Sequence, residues 1–177
     1  TNVTIKENIL DRTLNGFLNE NIEFKGVLFI GLMIENNQAK VLEYNARFGD
    51  PETEVVLPRL KSDLIDIMLK CIEGNLTEDD LQWEDNKCVT VILASGGYPE
   101  SYEKGKEITG INEVDDDIII FHGGTKLSGN KTITDGGRVL AVTAMGKSLE
   151  EARNKVYKNI PKINFEKMEY RTDIAKI

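Results

Sequence analysis

The sequence predicts an α+β fold, with helices and an antiparallel hairpin in its first half and a small β-rich part carrying one helix in its second. Three observations predict it. An apolar stripe of helical period opens the chain, and two apolar runs then flank the pair Asn36–Asn37. Beyond residue 81 glycine-flanked apolar runs replace the helical pattern.

The elements follow in order. Residues 4–18 predict a helix, because Ile9, Leu10, Leu14, Phe17 and Leu18 fall on one stripe. "FKGVLFIGLMI" and "AKVLEYNARF" predict two strands, and the asparagines of "ENNQ" suit the turn of a hairpin. "ETEVVLPRL" predicts a short helix disturbed by Pro58. Ser62 can cap the helix "DLIDIMLKCIEG", which carries Leu64, Ile67, Met68 and Cys71 on one side and stops at Gly74. Residues 75–87 are acidic and lack a core pattern, which marks a boundary between a part at 1–80 and a part at 81–177. "CVTVILAS", "DIIIFHGGT" and "RVLAVTAMG" then predict strands. "SLEE" is a capping-box signature opening a helix to Asn159 before Pro161, and "FEKMEYRTDIAKI" can return as a strand with an irregular tail.

Composition excludes several classes of function. The chain has 177 residues, enough for one sizeable domain or two small ones. A net charge of −8 without a Lys/Arg-rich run argues against a nucleic-acid partner. No apolar run is long enough for a transmembrane helix, so no membrane partner is expected. Residues 1–20 have no apolar centre of a signal peptide, and Cys71 and Cys88 stand alone without zinc-site spacing. The expectation is a cytoplasmic protein with small buried or surface thiols. Thr1 stands where a starting Met would, and the chain is expected to be a piece of a longer one.

Candidate chemistry centres on "LEYNARFGDPETE", residues 42–54. On a regular strand Leu42, Tyr44, Ala46 and Phe48 share one face, apolar enough to meet a core. Val41, Glu43, Asn45 and Arg47 share the other. Residues two apart on a strand are roughly 6.5–7 Å apart, so Glu43 and Asn45 can reach one small cation. Hard oxygen donors of this kind suit Mg²⁺, whose shell phosphates and water usually complete. Arg47 can then grip a phosphate oxygen with its fork. The same row also fits the wet face of a half-exposed strand followed by a turn, and these residues alone leave both readings open.

Other features point to structure. His122 has no Ser or Cys partner motif and is expected to be a hydrogen-bonded structural residue. The pairs Gly96–Gly97, Gly123–Gly124 and Gly136–Gly137 match neither GxGxxG nor a P-loop, and turns with positive φ explain them. Arg138, following "DGG", can face an anion. "VDDDIII" lacks the ligand spacing of an EF-hand and is expected to be a charged turn feeding a strand.

The run "FKGVLFIGLMIENNQAKVLEYNARFGDPETEVVLPRLKSDL" resembles the metal-binding end of phosphoribosylamine–glycine ligases, or glycinamide ribonucleotide synthetases, which are ATP-grasp enzymes of purine biosynthesis. "SGGYPESYEKGKEITGI", "IFHGGT", "TDGGRVLAVTAMG" and "YRTDI" continue the resemblance in order. It implies the C-terminal part of an ATP-grasp module, followed by a small β-rich domain. It also implies an ATP-dependent carbon–nitrogen ligase joining glycine to 5-phosphoribosylamine through glycyl phosphate, with ADP and phosphate released.

By that resemblance Glu43 and Asn45 are ligands of Mg²⁺, or of Mn²⁺ in its place. Arg47 is the catalytic phosphate contact, and Asp50 orients the ammonium group of glycine. Many ATP-grasp enzymes carry another metal-binding carboxylate on the preceding strand, where this chain has Gly31. The family's N-terminal domain and nucleotide-gripping half have no counterpart here, so the missing N-terminal half is the implied partner and residues 1–177 alone are expected not to turn over. Another ATP-grasp member, such as a biotin-dependent or purine carboxylase, and a non-catalytic binding or assembly module are the alternatives.

Overall fold

A computed structural model describes residues 5–176. Its contacts divide the chain into two compact units, Thr1–Gly49 with Ser62–Leu81 and Asp50–Lys61 with Gln82–Ile177.

The first unit opens with a π-helical turn, Lys6–Leu10, that runs into helix α1, Asp11–Asn19. Residue 4, the first of the predicted helix, lies outside the described residues. Strands β1, Phe29–Glu35, and β2, Gln38–Asn45, form an antiparallel hairpin. Its two turn residues, Asn36 and Asn37, have φ of 49° and 61°. Asparagine tolerates this left-handed conformation, which the tight hairpin turn requires at both central positions. A later helix, Leu64–Glu73, is capped by Asp63, not Ser62: the Asp63 carboxylate accepts from the amides of Ile65 and Asp66 at 2.8 and 3.2 Å. Gly74 ends it in the left-handed region, as its position predicted.

The second unit begins with a one-turn helix, Thr53–Val56, followed by a 3₁₀ turn, Leu57–Arg59, that contains Pro58. Its centre is an antiparallel sheet of order β4-β7-β3-β8, built from β3 (Lys87–Ser95), β4 (Ile118–His122), β7 (Arg138–Gly146) and β8 (Met168–Glu169). β5 (Thr125–Ser128) and β6 (Lys131–Thr134) make a separate hairpin.

On β3 alternate residues Val89, Val91, Leu93 and Ser95 are buried. The first three meet Ala152 and Val156 of the helix Leu149–Asn159, together with Ile160, Ile163 and Phe165, in one core. Ser148 caps that helix by accepting from the Glu151 amide at 3.1 Å. Glu151 returns its carboxylate to the amide of Lys147 at 2.9 Å, one residue before the position a capping box uses. No helix among the described residues is long and apolar enough to cross a membrane.

Candidate functional site

Two groups of residues are candidates for chemistry, one in each unit. In the first, β2 presents Glu43 opposite Gly31 and Asn45 opposite Phe29. Cross-strand partners share a face, so Glu43 and Asn45 project from the same side of the hairpin. Gly31 makes room there, since a Cβ at that position would lie 3.0 Å from Glu43 Cγ and 3.6 Å from Oε1. The Glu43 side chain therefore lies across the glycine.

The expected row of alternate residues is interrupted on both sides of this pair. A bulge leaves Leu42 between the pairs Leu32–Val41 and Gly31–Glu43. Val41 accordingly joins Leu32 on the face opposite Glu43. β2 then ends at Asn45, and the chain bends at Ala46 and Arg47, so Arg47 is no strand residue. Its guanidinium turns back, donating to the Phe48 carbonyl at 2.8 Å and to Asn45 Oδ1 at 3.3 Å. The apolar set does not meet a core among the described residues: Leu42 is 64% exposed and Tyr44 49%. Tyr44 shares a 3.0 Å hydrogen bond with the hydroxyl of Thr13.

The donor set fits a hard divalent cation in part. Glu43 and Asn45 offer a carboxylate and an amide oxygen, the ligand type Mg²⁺ prefers. Among the described residues no three His, Cys, Asp or Glu side chains gather as a metal cluster. A cation here would complete its shell with phosphate and water.

Asp50 belongs to the second unit. Its carboxylate lies 3.4 Å from Arg138 Nη2, and its carbonyl accepts from Arg138 Nη1 at 3.2 Å. Arg138 does face an anion, and that anion is Asp50. The two residues line a cavity of about 390 Å³ with Glu54, Tyr98 and Gly123, over an apolar floor that includes Ile92, Phe121 and Leu140. Segments far apart in sequence thus converge here: "GDPETE", "GGYP", "FHGG" and "DGGRVL".

Close backbone approach, more than positive φ, explains most of the paired glycines. Of the six, only Gly97 has positive φ, at 92°. A Cβ on Gly124 would lie 2.5 Å from the Gly136 Cα, and one on Gly137 would lie 2.1 Å from Tyr98 Cδ2. Gly137 is the surface on which the Tyr98 ring rests.

Sequence reasoning missed Glu54. One of its oxygens, Oε2, is buried and has no hydrogen-bond partner. Burial is the main cause that raises its carboxyl above the ordinary range, and the nearby Asp50 carboxylate adds to it. Its own backbone amide and Arg138 act in the other direction. The only signal in the sequence was its place at the end of "DPETE". His122 is exposed and shares a 2.9 Å hydrogen bond between Nδ1 and Thr125 Oγ1, in keeping with a structural role. Both cysteines are free and partly buried, and burial pushes the Cys88 thiol up, away from reactivity.

The fold and the family models together define a class: the C-terminal part of an ATP-grasp module followed by a small β-rich domain. The biotin carboxylase domain of a thermophilic 2-oxoglutarate carboxylase shares the fold alone, with a TM-score of 0.62 at 11% identity over 89% of this chain and 36% of that one.

The family is narrower. Residues 88–177 match the model of the phosphoribosylglycinamide synthetase C domain, and residues 1–53 that of its ATP-grasp (A) domain. The chain belongs to the phosphoribosylglycinamide synthetase family. It is 48% identical over 171 residues to the phosphoribosylamine–glycine ligase of Caldanaerobacter subterraneus subsp. tengcongensis, covering 97% of this chain and 41% of that protein. The crystal structure of the Thermotoga maritima phosphoribosylamine–glycine ligase superposes with a TM-score of 0.81 at 37% identity, over 97% of this chain and 42% of that one. The chain thus spans about two fifths of the length of these relatives.

Proposed function

We propose that this chain serves as the C-terminal part of an ATP-dependent phosphoribosylamine–glycine ligase acting in the cytoplasm. The reaction joins glycine to 5-phosphoribosylamine, giving glycinamide ribonucleotide, ADP and phosphate. The observation that carries the reading is the pairing of Glu43 with Gly31 on a bulged strand, which sets Glu43 and Asn45 on one open face within a chain of this family. Bulges recur where a strand must re-aim side chains near a site.

In this reading Glu43 and Asn45 hold Mg²⁺, or Mn²⁺, against the nucleotide phosphates. The metal, when bound, supplies charge neutralisation for phosphoryl transfer to the glycine carboxylate. Glu43 offers an anionic oxygen and Asn45 a neutral one, a modest protein share that makes metal affinity depend on nucleotide. Arg47, beside Asn45 Oδ1, is the contact for a phosphate oxygen, and its present bonds to Asn45 and Phe48 are exchanged for that contact. Asp50 is an acceptor for the glycine ammonium group.

The test is substrate-dependent ADP release by a ligase of the relatives' length that carries these residues, comparing glycine with bicarbonate. The reading expects release that needs both glycine and phosphoribosylamine. Residues 1–177 by themselves are expected to release none. Bicarbonate-dependent release, or turnover by 1–177 alone, would overturn it.

A further inference from the structure

Glu43 and Asn45 stand on a short length of regular strand. The bulge at Leu42 precedes it, and the chain bends at Ala46 directly after it. Tyr44 lies between the two, paired with Ile30, and projects from the other side of the hairpin. Its hydroxyl meets that of Thr13, on α1, at 3.0 Å. The neighbouring bond fixes the proton order. Thr13 Oγ1 donates its one hydrogen to the Ile9 carbonyl at 2.7 Å, so it accepts from Tyr44. The relay ends on a buried residue, since Ile9 is 7% exposed. Among the described residues, Tyr44 to Thr13 is the one side-chain hydrogen bond that ties residues 43–45 to a helix. Tyr44 and Leu42 are largely exposed, so packing does little to hold this stretch.

We propose that Tyr44 is a positioning residue for the metal ligands: its hydroxyl, anchored on Thr13, fixes the backbone from which Glu43 and Asn45 project on the opposite side. The proposal rests on the reading of Glu43 and Asn45 as ligands and goes beyond it. Mg²⁺ demands near-ideal octahedral geometry, so two ligands from one strand serve it only where that strand keeps its twist. A residue midway between them, pinned on the reverse side, sets both at once. Pinning also lowers the freedom lost when the cation binds. The gain cannot exceed the net worth of the tie itself, which for one hydrogen bond is about two- to tenfold in affinity.

The test measures Mn²⁺ binding by electron paramagnetic resonance in a ligase of the relatives' length that carries these residues, with a non-hydrolysable ATP analogue at saturation. Tyr44→Phe and Thr13→Val should each weaken Mn²⁺ by about two- to tenfold. The two together should weaken it no more than either alone, because they remove the same bond. Thr13→Ser, which keeps the hydroxyl, should bind Mn²⁺ as the unaltered protein does. Affinity for the ATP analogue without metal should stay unchanged in all of them. Should Thr13→Val fail to fold, Tyr44→Phe decides on the same readings. Unchanged Mn²⁺ affinity in Tyr44→Phe, or losses that multiply in the double variant, overturn the proposal. An equal loss of metal-free nucleotide affinity makes the tie merely structural and overturns it too. Glu43→Gln separates this outcome from failure of the reading beneath it. If Glu43→Gln weakens Mn²⁺ and Tyr44→Phe does not, the ligand reading stands and the proposal alone falls; if Glu43→Gln changes nothing, both fall.

Discussion

β7 of the second unit runs for nine residues and buries all but two of them, whereas β2 of the first runs for eight and buries none. The contrast extends to the units. The second has a core of fourteen buried residues drawn from β3, β4, β7, the helix Leu149–Asn159 and the segments around them. Among the described residues of the first, only Ile9 and Gly49 are buried. Yet the open strand carries the candidate metal ligands, and the buried sheet borders a pocket at its end. An alternating pattern states which side chains share a face only where the strand stays regular, and it does not state that anything covers that face.

The largest test of this contrast is a pair of truncations. Leu93→Ala, at a fully buried position, is expected to cost about 2–5 kcal/mol of stability in urea unfolding. Leu42→Ala, on the bulge, should stay within about 0.5 kcal/mol. Equal costs would mean that the first unit has a core the fold does not reveal. Next in size, Gly137→Ala drives a Cβ into the Tyr98 ring and is expected to cost about 1–3 kcal/mol. Asp63→Ala removes the cap of the helix Leu64–Glu73 and should cost about 1 kcal/mol.

The smallest effects are those of pH, and they have opposite signs in the two units. In the first, hydrogen bonds from Lys70 and from Thr77 hold the Asp80 carboxyl down, from an ordinary 3.8 to about 2. Its stabilising contribution is present above 3.8 and is lost as pH falls through about 2. In the second, Glu54 is raised by burial from an ordinary 4.5, so the folded state holds its proton the more tightly. That contribution is present below 4.5 and is lost as pH rises through the raised value. Acid unfolding of Asp80→Asn and Glu54→Gln should each flatten one limb of the stability profile and leave the other.

How much could be read from the residues follows the same division. The Asn36–Asn37 turn, the Gly74 stop, the Pro58 break and the Ser148 cap were legible because each depends on neighbours in sequence. The bulge at Leu42 was not, because it is fixed by pairing with β1. The end of β2 at Asn45 was hidden in a run of residues that alternate as well as any strand. Asp63 took the cap from Ser62 because both residue types suit it, and one position decides where the helix begins. The pocket was legible only as fragments: four motifs stood out, and the fold alone brings Glu54, Tyr98 and Arg138 to one cavity.

The central claim is that Glu43 and Asn45 form the metal-holding side of a ligase site. The most direct measurement is the Mg²⁺ dependence of glycine-dependent ADP release in a full-length ligase carrying Glu43→Gln, Asn45→Ala or Gly31→Ala. The account predicts a loss on the order of a hundredfold or more in kcat for Glu43→Gln. It predicts a smaller loss for Asn45→Ala, and for Gly31→Ala a mild one that higher Mg²⁺ restores. Unchanged turnover and unchanged Mg²⁺ dependence in both Glu43→Gln and Asn45→Ala would contradict it.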